Sequence, residues 1–145
     1  MYTMTKRGTV FALALLMLVM SVFVPMKKAE AAMMYNNTSS ATARCSIDSN
    51  GNLSVALKVT GYSGITQRIE VALYVEKRVL GIFWSRVDIG CPDNFWTDSK
   101  TGYTYTNTFS HHLGSTGTFR VNVTFTVSGT GGSNDIITKT ETISY

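Results

Sequence analysis

The chain has 145 residues, of which 44% are hydrophobic and 15% charged, and its formal net charge is +4. This length fits one ordinary domain and is sufficient to bury a core without help from a metal. The excess of basic residues lies in the first 31 positions, because the remainder holds nine basic and eight acidic residues, a net charge of +1. So small a charge excludes a strong overall basic attraction, and neither nucleic acid nor an anionic membrane is indicated as a partner.

The first 31 residues have the pattern of a secretory signal peptide. Basic residues precede the apolar run Val10–Val24, and the small residues Ala29 and Ala31 lie before a cleavage position. The run is shorter than the roughly 20 residues that a spanning helix prefers. Two lysines beside the run are unusual, so cleavage after Ala31, cleavage after Ala32 and a retained leader all stay open. We expect an N-terminal signal helix and a protein that is secreted or associated with the cell wall.

The rest of the chain is patterned for strands. Residues 32–42 are small and polar and predict a flexible lead-in. From residue 43 onward the hydrophobic period is two rather than 3.6, which is typical of strands with one buried face. Turn-forming pairs such as Asn50-Gly51 separate the apolar runs. The predicted strands are Ala43–Asp48, Leu53–Thr60, Ile69–Glu76, Phe83–Ile89, Tyr103–Phe109, Phe119–Ser128 and Ile136–Tyr145.

Regular spacing of these seven strands predicts an all-β fold, a single antiparallel immunoglobulin-like sandwich over residues 43–145. A small barrel is the alternative. Lys77–Ile82 is expected to connect two strands. Gly90–Thr101 is expected to form an irregular loop or a crossover between sheets, because it contains Cys91-Pro92 and Asp93-Asn94.

The cysteines, Cys45 and Cys91, both lie in the part of the chain that we expect to be exported. Thiols outside the cell meet oxidants, so the sequence favours a Cys45–Cys91 disulfide. Two free thiols, or bridges to other chains, are the alternatives. A metal site is disfavoured because neither cysteine has a second cysteine or a histidine at a suitable spacing.

Four aromatic residues are the candidate ligand-binding residues: Trp84, Trp96, Tyr103 and Tyr105. Flat rings stack on carbohydrates and peptides, but they also bury well, so packing within the sheets is the ordinary interpretation.

Residues that could support catalysis or metal binding form no convincing motif. His111 and His112 are adjacent, and neighbours in a strand point to opposite faces, so they do not form a chelating pair. Asp88, Asp93 and Asp98 fall in one region, but a glycosidase needs two carboxyl groups opposed across a cleft. We therefore predict no metal, no cofactor and no enzymatic activity.

A family resemblance supports export and a β-rich body. The residues that carry it are Val71–Lys77, Gly81, Trp84, Val87, Gly117–Val121 and a closing strand rich in Thr and Ser. In these features residues 43–145 resemble a family of small secreted proteins of Gram-positive bacteria, with a domain of unknown function. The resemblance implies no catalytic residues.

Together these observations predict a secreted, non-catalytic protein that acts by binding through its surface. The expected partner is a protein or a cell-wall glycan, and contact with a membrane is expected only through the signal peptide. A bacteriocin-like or toxin-like effector is the alternative, followed by a small hydrolase that uses Asp88, Asp93 and Asp98.

Overall fold

Antiparallel strands make up most of the described structure. The computed structural model describes residues 34–145, and the signal peptide predicted for residues 1–31 lies outside the described residues. The strands are β1 (Thr38–Ile47), β2 (Asn52–Gly61), β3 (Thr66–Val79), β4 (Phe83–Arg86), β5 (Trp96–Thr101), β6 (Thr104–His112), β7 (Thr118–Gly129) and β8 (Asp135–Ser144).

The strands form two sheets in which all neighbours are antiparallel. The first has three strands in the order β1-β2-β6. The second has five, in the order β4-β3-β7-β8, with β5 also paired to β3. β4 pairs with Glu76–Val79 and β5 with Arg68–Leu73, so both lie on the edge of β3 that β7 does not occupy. The prediction of an all-β, antiparallel fold is confirmed. In residues 34–145 no helix is long and apolar enough to cross a membrane.

One hydrophobic core is shared by the two sheets. Alternate residues of the long strands point into it, as the period of two predicts. Each fully buried Val, Leu, Ile or Phe side chain contributes roughly 1.5–3 kcal/mol. The three strands that contribute most core residues supply Leu53, Val55, Leu57 and Val59 from β2, Ile69, Val71, Leu73 and Val75 from β3, and Phe119, Val121, Val123, Phe125 and Val127 from β7.

Several strand boundaries differ from those predicted. β3 runs from Thr66 to Val79 rather than from Ile69 to Glu76, so the connection predicted at Lys77–Ile82 is shortened to residues 80–82. β1 begins at Thr38 rather than Ala43, and β4 ends at Arg86 rather than near Ile89. The segment predicted as an irregular loop contains a whole strand, β5, at Trp96–Thr101. This edge strand exposes most of its residues on both faces, so it lacks the apolar alternation by which a strand is recognised.

The predicted Cys45–Cys91 disulfide is absent, and both cysteines are free thiols. The topology explains why. Cys45 lies on β1, close enough to Glu141 of β8 for the carboxylate charge to raise the pKa of the Cys45 thiol. Cys91 lies in the connection between β4 and β5, at the opposite edge of the second sheet. Each cysteine packs separately against the core as a small apolar side chain.

We expect the Cys45 thiol to react slowly with iodoacetamide. Burial, with a smaller contribution from the charge of Glu141, raises the pKa of Cys45 from 9.0 to about 11. At pH 8 the thiolate fraction, and with it the alkylation rate, should be about 100-fold lower than in the unfolded chain. Mass spectrometry of timed alkylation, with and without urea, measures this ratio. Equal rates in the two conditions, or a peptide linking Cys45 to Cys91, would contradict it.

The start of the described chain is fixed by a buried carboxylate, that of Asp135. Its Oδ1 accepts the backbone N–H of Asn36 at 2.9 Å, and its Oδ2 accepts the N–H of Asn37 and the hydroxyl of Thr38, both at 2.8 Å. The amide of Asn37 in turn donates to the carbonyl of Ser133 and accepts from the N–H of Gly131. We call residues 36–38 and Asp135 the Asp135 anchor.

Glycine is required beside the Asp135 anchor. A Cβ at Gly131 would overlap the carbonyl oxygen of Asn36, and one at Gly129 would overlap that of Ile65. The turn between β7 and β8 can therefore approach the first residues only because both positions lack a side chain.

Replacing Asp135 by Ala should lower the free energy of unfolding by about 3 kcal/mol, because donors in a buried site lose their acceptor. Urea unfolding followed by tryptophan fluorescence measures the change. Glu141→Ala is the matched control, since Glu141 is an exposed carboxylate on the same strand. A loss in Asp135→Ala no larger than in Glu141→Ala would show that the anchor contributes nothing.

Candidate binding surface

The two sheets have chemically different outer faces. The face of the three-stranded sheet is lined mainly by small polar side chains, among them Thr42, Thr60, Thr106 and Thr108. The face of the five-stranded sheet carries aromatic rings and guanidinium groups in contact with each other. We call this second set the aromatic-arginine platform; its members are Tyr74, Trp84, Arg86, Phe95 and Arg120.

Strand register assembles the platform. Glu76 of β3 lies opposite Arg86 of β4 on one side and opposite Arg120 of β7 on the other. Since side chains alternate between faces, the inward Val75 and Leu73 leave Glu76 and Tyr74 on the outer face.

Arg120 is held by an ion pair and an aromatic ring. Its Nη2 lies 2.7 Å from Glu76 Oε2, and its Nε donates to the same oxygen at 2.9 Å. Its guanidinium carbon lies 4.3 Å from the centroid of the Trp84 ring. The Asn122 amide donates to Glu76 Oε2 at 2.9 Å and accepts from the Thr140 hydroxyl at 3.0 Å. The Glu76 charge is thus already neutralised within the structure.

Arg86 is held by rings alone. Its guanidinium carbon lies 3.8 Å from the centroid of Tyr74 and 4.5 Å from that of Phe95. The two rings meet edge to face, with centroids 5.2 Å apart. Within residues 34–145 the ion pairs are those of Arg68 with Glu70 and Arg120 with Glu76, so no described carboxylate pairs with Arg86. Arg86 therefore offers an oriented, exposed guanidinium to an external anion.

A shallow cleft continues the platform along β3. Ala72 occupies the outward position between Glu70 and Tyr74, and its small side chain leaves a depression of about 570 Å³. Hydroxyl groups of β5 and β7 line it. From Arg68 to Glu76 the face extends about 26 Å at the usual rise per strand residue. The residues around the depression are Arg68, Glu70, Thr97, Asp98, Ser99, Thr124 and Thr126.

The four aromatic candidates from the sequence separate in space. Trp84 belongs to the platform. Tyr105 is buried, and Trp96 packs against Phe109 with ring centroids 5.5 Å apart. Tyr103 is exposed in the turn between β5 and β6. Trp84, Trp96, Tyr103 and Tyr105 therefore do not form one ring platform.

Asp98 and Tyr105 connect the two sheets. Asp98 Oδ2 of β5 accepts the Tyr105 hydroxyl and the Asn107 amide of β6, both at 2.7 Å. These two hydrogen bonds, with the N–H of Ser99, hold the pKa of Asp98 below its usual 3.8. Burial, and then the bond to Asp98, raise the pKa of Tyr105 above its ordinary value. Asp98 is thereby occupied in joining β5 to β6.

Replacing Tyr105 by Phe should lower the free energy of unfolding at pH 7 by about 1 kcal/mol, because the hydrogen bond to Asp98 is lost. The loss is no larger because solvent reaches the carboxylate of Asp98 and weakens this bond. A depressed carboxyl pKa stabilises the fold above pH 3.8, and this contribution is lost as the pH falls through the folded-state pKa. The difference between the variant and the native protein should therefore shrink towards pH 3. Urea unfolding at several pH values tests this. Tyr103→Phe, at an exposed ring, should have no such effect at any pH.

The histidines lie on different sides of β6. The His111 ring stacks on Phe109, with centroids 6.4 Å apart, and burial lowers the pKa of His111. The His112 ring hydrogen-bonds Asn52 at 3.2 Å. In the part of the chain that the structure describes, no group of His, Cys, Asp and Glu side chains is arranged to hold a metal ion.

Sequence reasoning missed Tyr74, Arg86, Phe95 and Arg120 as members of a site. The outward positions of Tyr74 and Arg120 follow from the strand pattern. The placement of Phe95 and Arg86 beside Tyr74 follows only from the pairing of β4 and β5 with β3, which no local pattern shows.

No protein-family model matches the chain, and no curated protein has significant sequence similarity to it.

Proposed function

We propose that this protein is a secreted, non-catalytic binding domain whose ligand is an anionic polymer of the cell wall. The observation that carries the proposal is the unpaired guanidinium of Arg86, fixed between the Tyr74 and Phe95 rings. A fixed guanidinium binds carboxylate or phosphate groups with little further loss of side-chain freedom, because its orientation is already set.

The extent of the surface supports a polymer rather than a small ligand. The platform offers the partly exposed Phe95 ring to a sugar, and the adjoining cleft over Ala72 offers hydroxyl groups that form hydrogen bonds with it. The cleft is open and shallow, so it suits repeated weak contacts along a chain rather than enclosure of one molecule.

An immunoglobulin-like sandwich is the fold that we propose for this domain. The neighbours β1-β2-β6 and β3-β7-β8 correspond to the strand neighbours A-B-E and C-F-G of that fold. β4 and β5 both extend the second sheet beside β3. Export is supported by the signal-peptide pattern of residues 1–31.

Replacing Arg86 by Ala should weaken binding of teichoic acid or soluble peptidoglycan fragments at least about tenfold, because a charge-assisted hydrogen bond is lost. Titration followed by tryptophan fluorescence measures the affinity, since Trp84 is part of the platform.

The matched control is Lys58→Ala, a cation on the outer face of the three-stranded sheet. It should leave the affinity unchanged. Equal losses in the two variants would reduce the interaction to overall charge, and no saturable binding by the native protein would refute the proposal.

A further inference from the structure

The tip of the β3–β4 hairpin is apolar and exposed. Its relative exposures are 40% for Val79, 84% for Leu80, 72% for Ile82 and 62% for Phe83. Four of the ten large hydrophobic residues exposed in the described chain thus fall within five consecutive positions. We call Val79–Phe83 the hairpin tip. Single exposed apolar residues are common, but a contiguous group of this kind marks an interaction site.

The hairpin tip projects beyond the rest of its sheet. The ladder between β3 and β7 ends at Lys77 and Phe119, whereas the ladder between β3 and β4 continues to Val79 and Phe83. At about 3.4 Å per residue, Val79 lies about 7 Å past the last β7 pair, and the turn extends further. The tip is therefore a convex, two-stranded projection.

The backbone conformation of the turn is unfavourable for Leu80, the most exposed residue of the tip. The N–H of Ile82 donates to the carbonyl of Val79 at 3.1 Å, and Leu80 and Gly81 have φ angles of 53° and 71°. Positive φ at both central residues favours Asn-Gly, and a leucine there is strained. An apolar side chain is thus kept at the apex against the local conformational preference, which is typical of functional positions.

Basic residues surround the base of the hairpin tip. Arg78 and Arg86 are exposed, whereas Lys77, on the opposite face of β3, donates to the Ser115 hydroxyl at 2.6 Å. The nearest acidic residue in the hairpin, Glu76, is neutralised by Arg120. Trp84 directly follows the tip on β4. The hairpin thus has an apolar apex, followed by a tryptophan and then by basic residues. Proteins that contact an anionic bilayer show these features in the same order.

We infer that the hairpin tip inserts into the headgroup and upper acyl region of a bilayer containing anionic lipids. Leu80, Ile82 and Phe83 enter the apolar layer, while Arg78, next to the tip, contacts lipid phosphates. The projection of the tip suits the 5–10 Å to which interfacial segments are buried. A second copy of the chain is the weaker occupant, because stable interfaces use roughly 20–30 residues a side and the convex tip offers five. The net charge of the chain after the first 31 residues is small because acidic residues elsewhere balance this local group of basic residues.

The test uses protein expressed from the full sequence and collected from the medium. The protein is sedimented with vesicles of phosphatidylcholine alone, or with vesicles in which about one third of the lipid is phosphatidylglycerol. We expect binding to the anionic vesicles that weakens as salt is raised. Leu80→Asn creates the favoured Asn-Gly turn, so it should fold at least as well as the native protein while binding about tenfold more weakly. Ile136→Asn is the matched control: Ile136 is 66% exposed but lies at the start of β8, away from the tip.

The inference is overturned if the protein does not sediment with anionic vesicles, or if Leu80→Asn and Ile136→Asn bind alike. It is also overturned if analytical ultracentrifugation shows a dimer that Leu80→Asn abolishes while vesicles bind neither protein, since the tip would then join two copies. Leu80→Asn should leave the affinity for wall polymers unchanged, so this test is independent of the function proposed above.

Discussion

The register of β3 is the constraint on which most of this structure depends. This strand pairs with β4, β5 and β7, and its alternate residues supply both a row of the core and a row of the outer face. A shift of one residue would turn Ile69, Val71, Leu73 and Val75 outward and bury Glu70 and Glu76. Burying an unpaired carboxylate is costly, so the shifted register is excluded. The same register therefore fixes both the core residues and the residues of the aromatic-arginine platform.

The sequence predicts the core well but the surface poorly, for a physical reason. Alternation along β2, β3 and β7 identifies inward residues because each strand carries its own period of two. The surroundings of Arg86 depend on Tyr74 and Phe95, which neighbouring strands bring together. Residue type alone identifies Trp84 as a candidate for a binding surface. The same criterion also selects Trp96 and Tyr105, which pack in or against the core.

The cysteines show a similar limit. Export and an even number of cysteines favour a disulfide, but they contain no information about distance. β1 and the β4–β5 connection place Cys45 and Cys91 at different edges of the molecule, where each packs, partly buried, against the core. β5 was missed because an exposed edge strand is stabilised mainly by backbone pairing and by the bond of Asp98 to Tyr105.

The Asp135 anchor also gives the domain a direction. It holds residues 36–38 beside Gly129, which lies opposite Thr66 at the start of β3. The hairpin tip lies at the other end of the same strand, about 45 Å away at the usual rise per residue. Residues 36–38 therefore lie at one end of β3, and the apolar hairpin tip lies at its other end. A partner bound at the hairpin tip would therefore contact the domain far from the Asp135 anchor, and substitutions at the two places should act independently on binding and on stability.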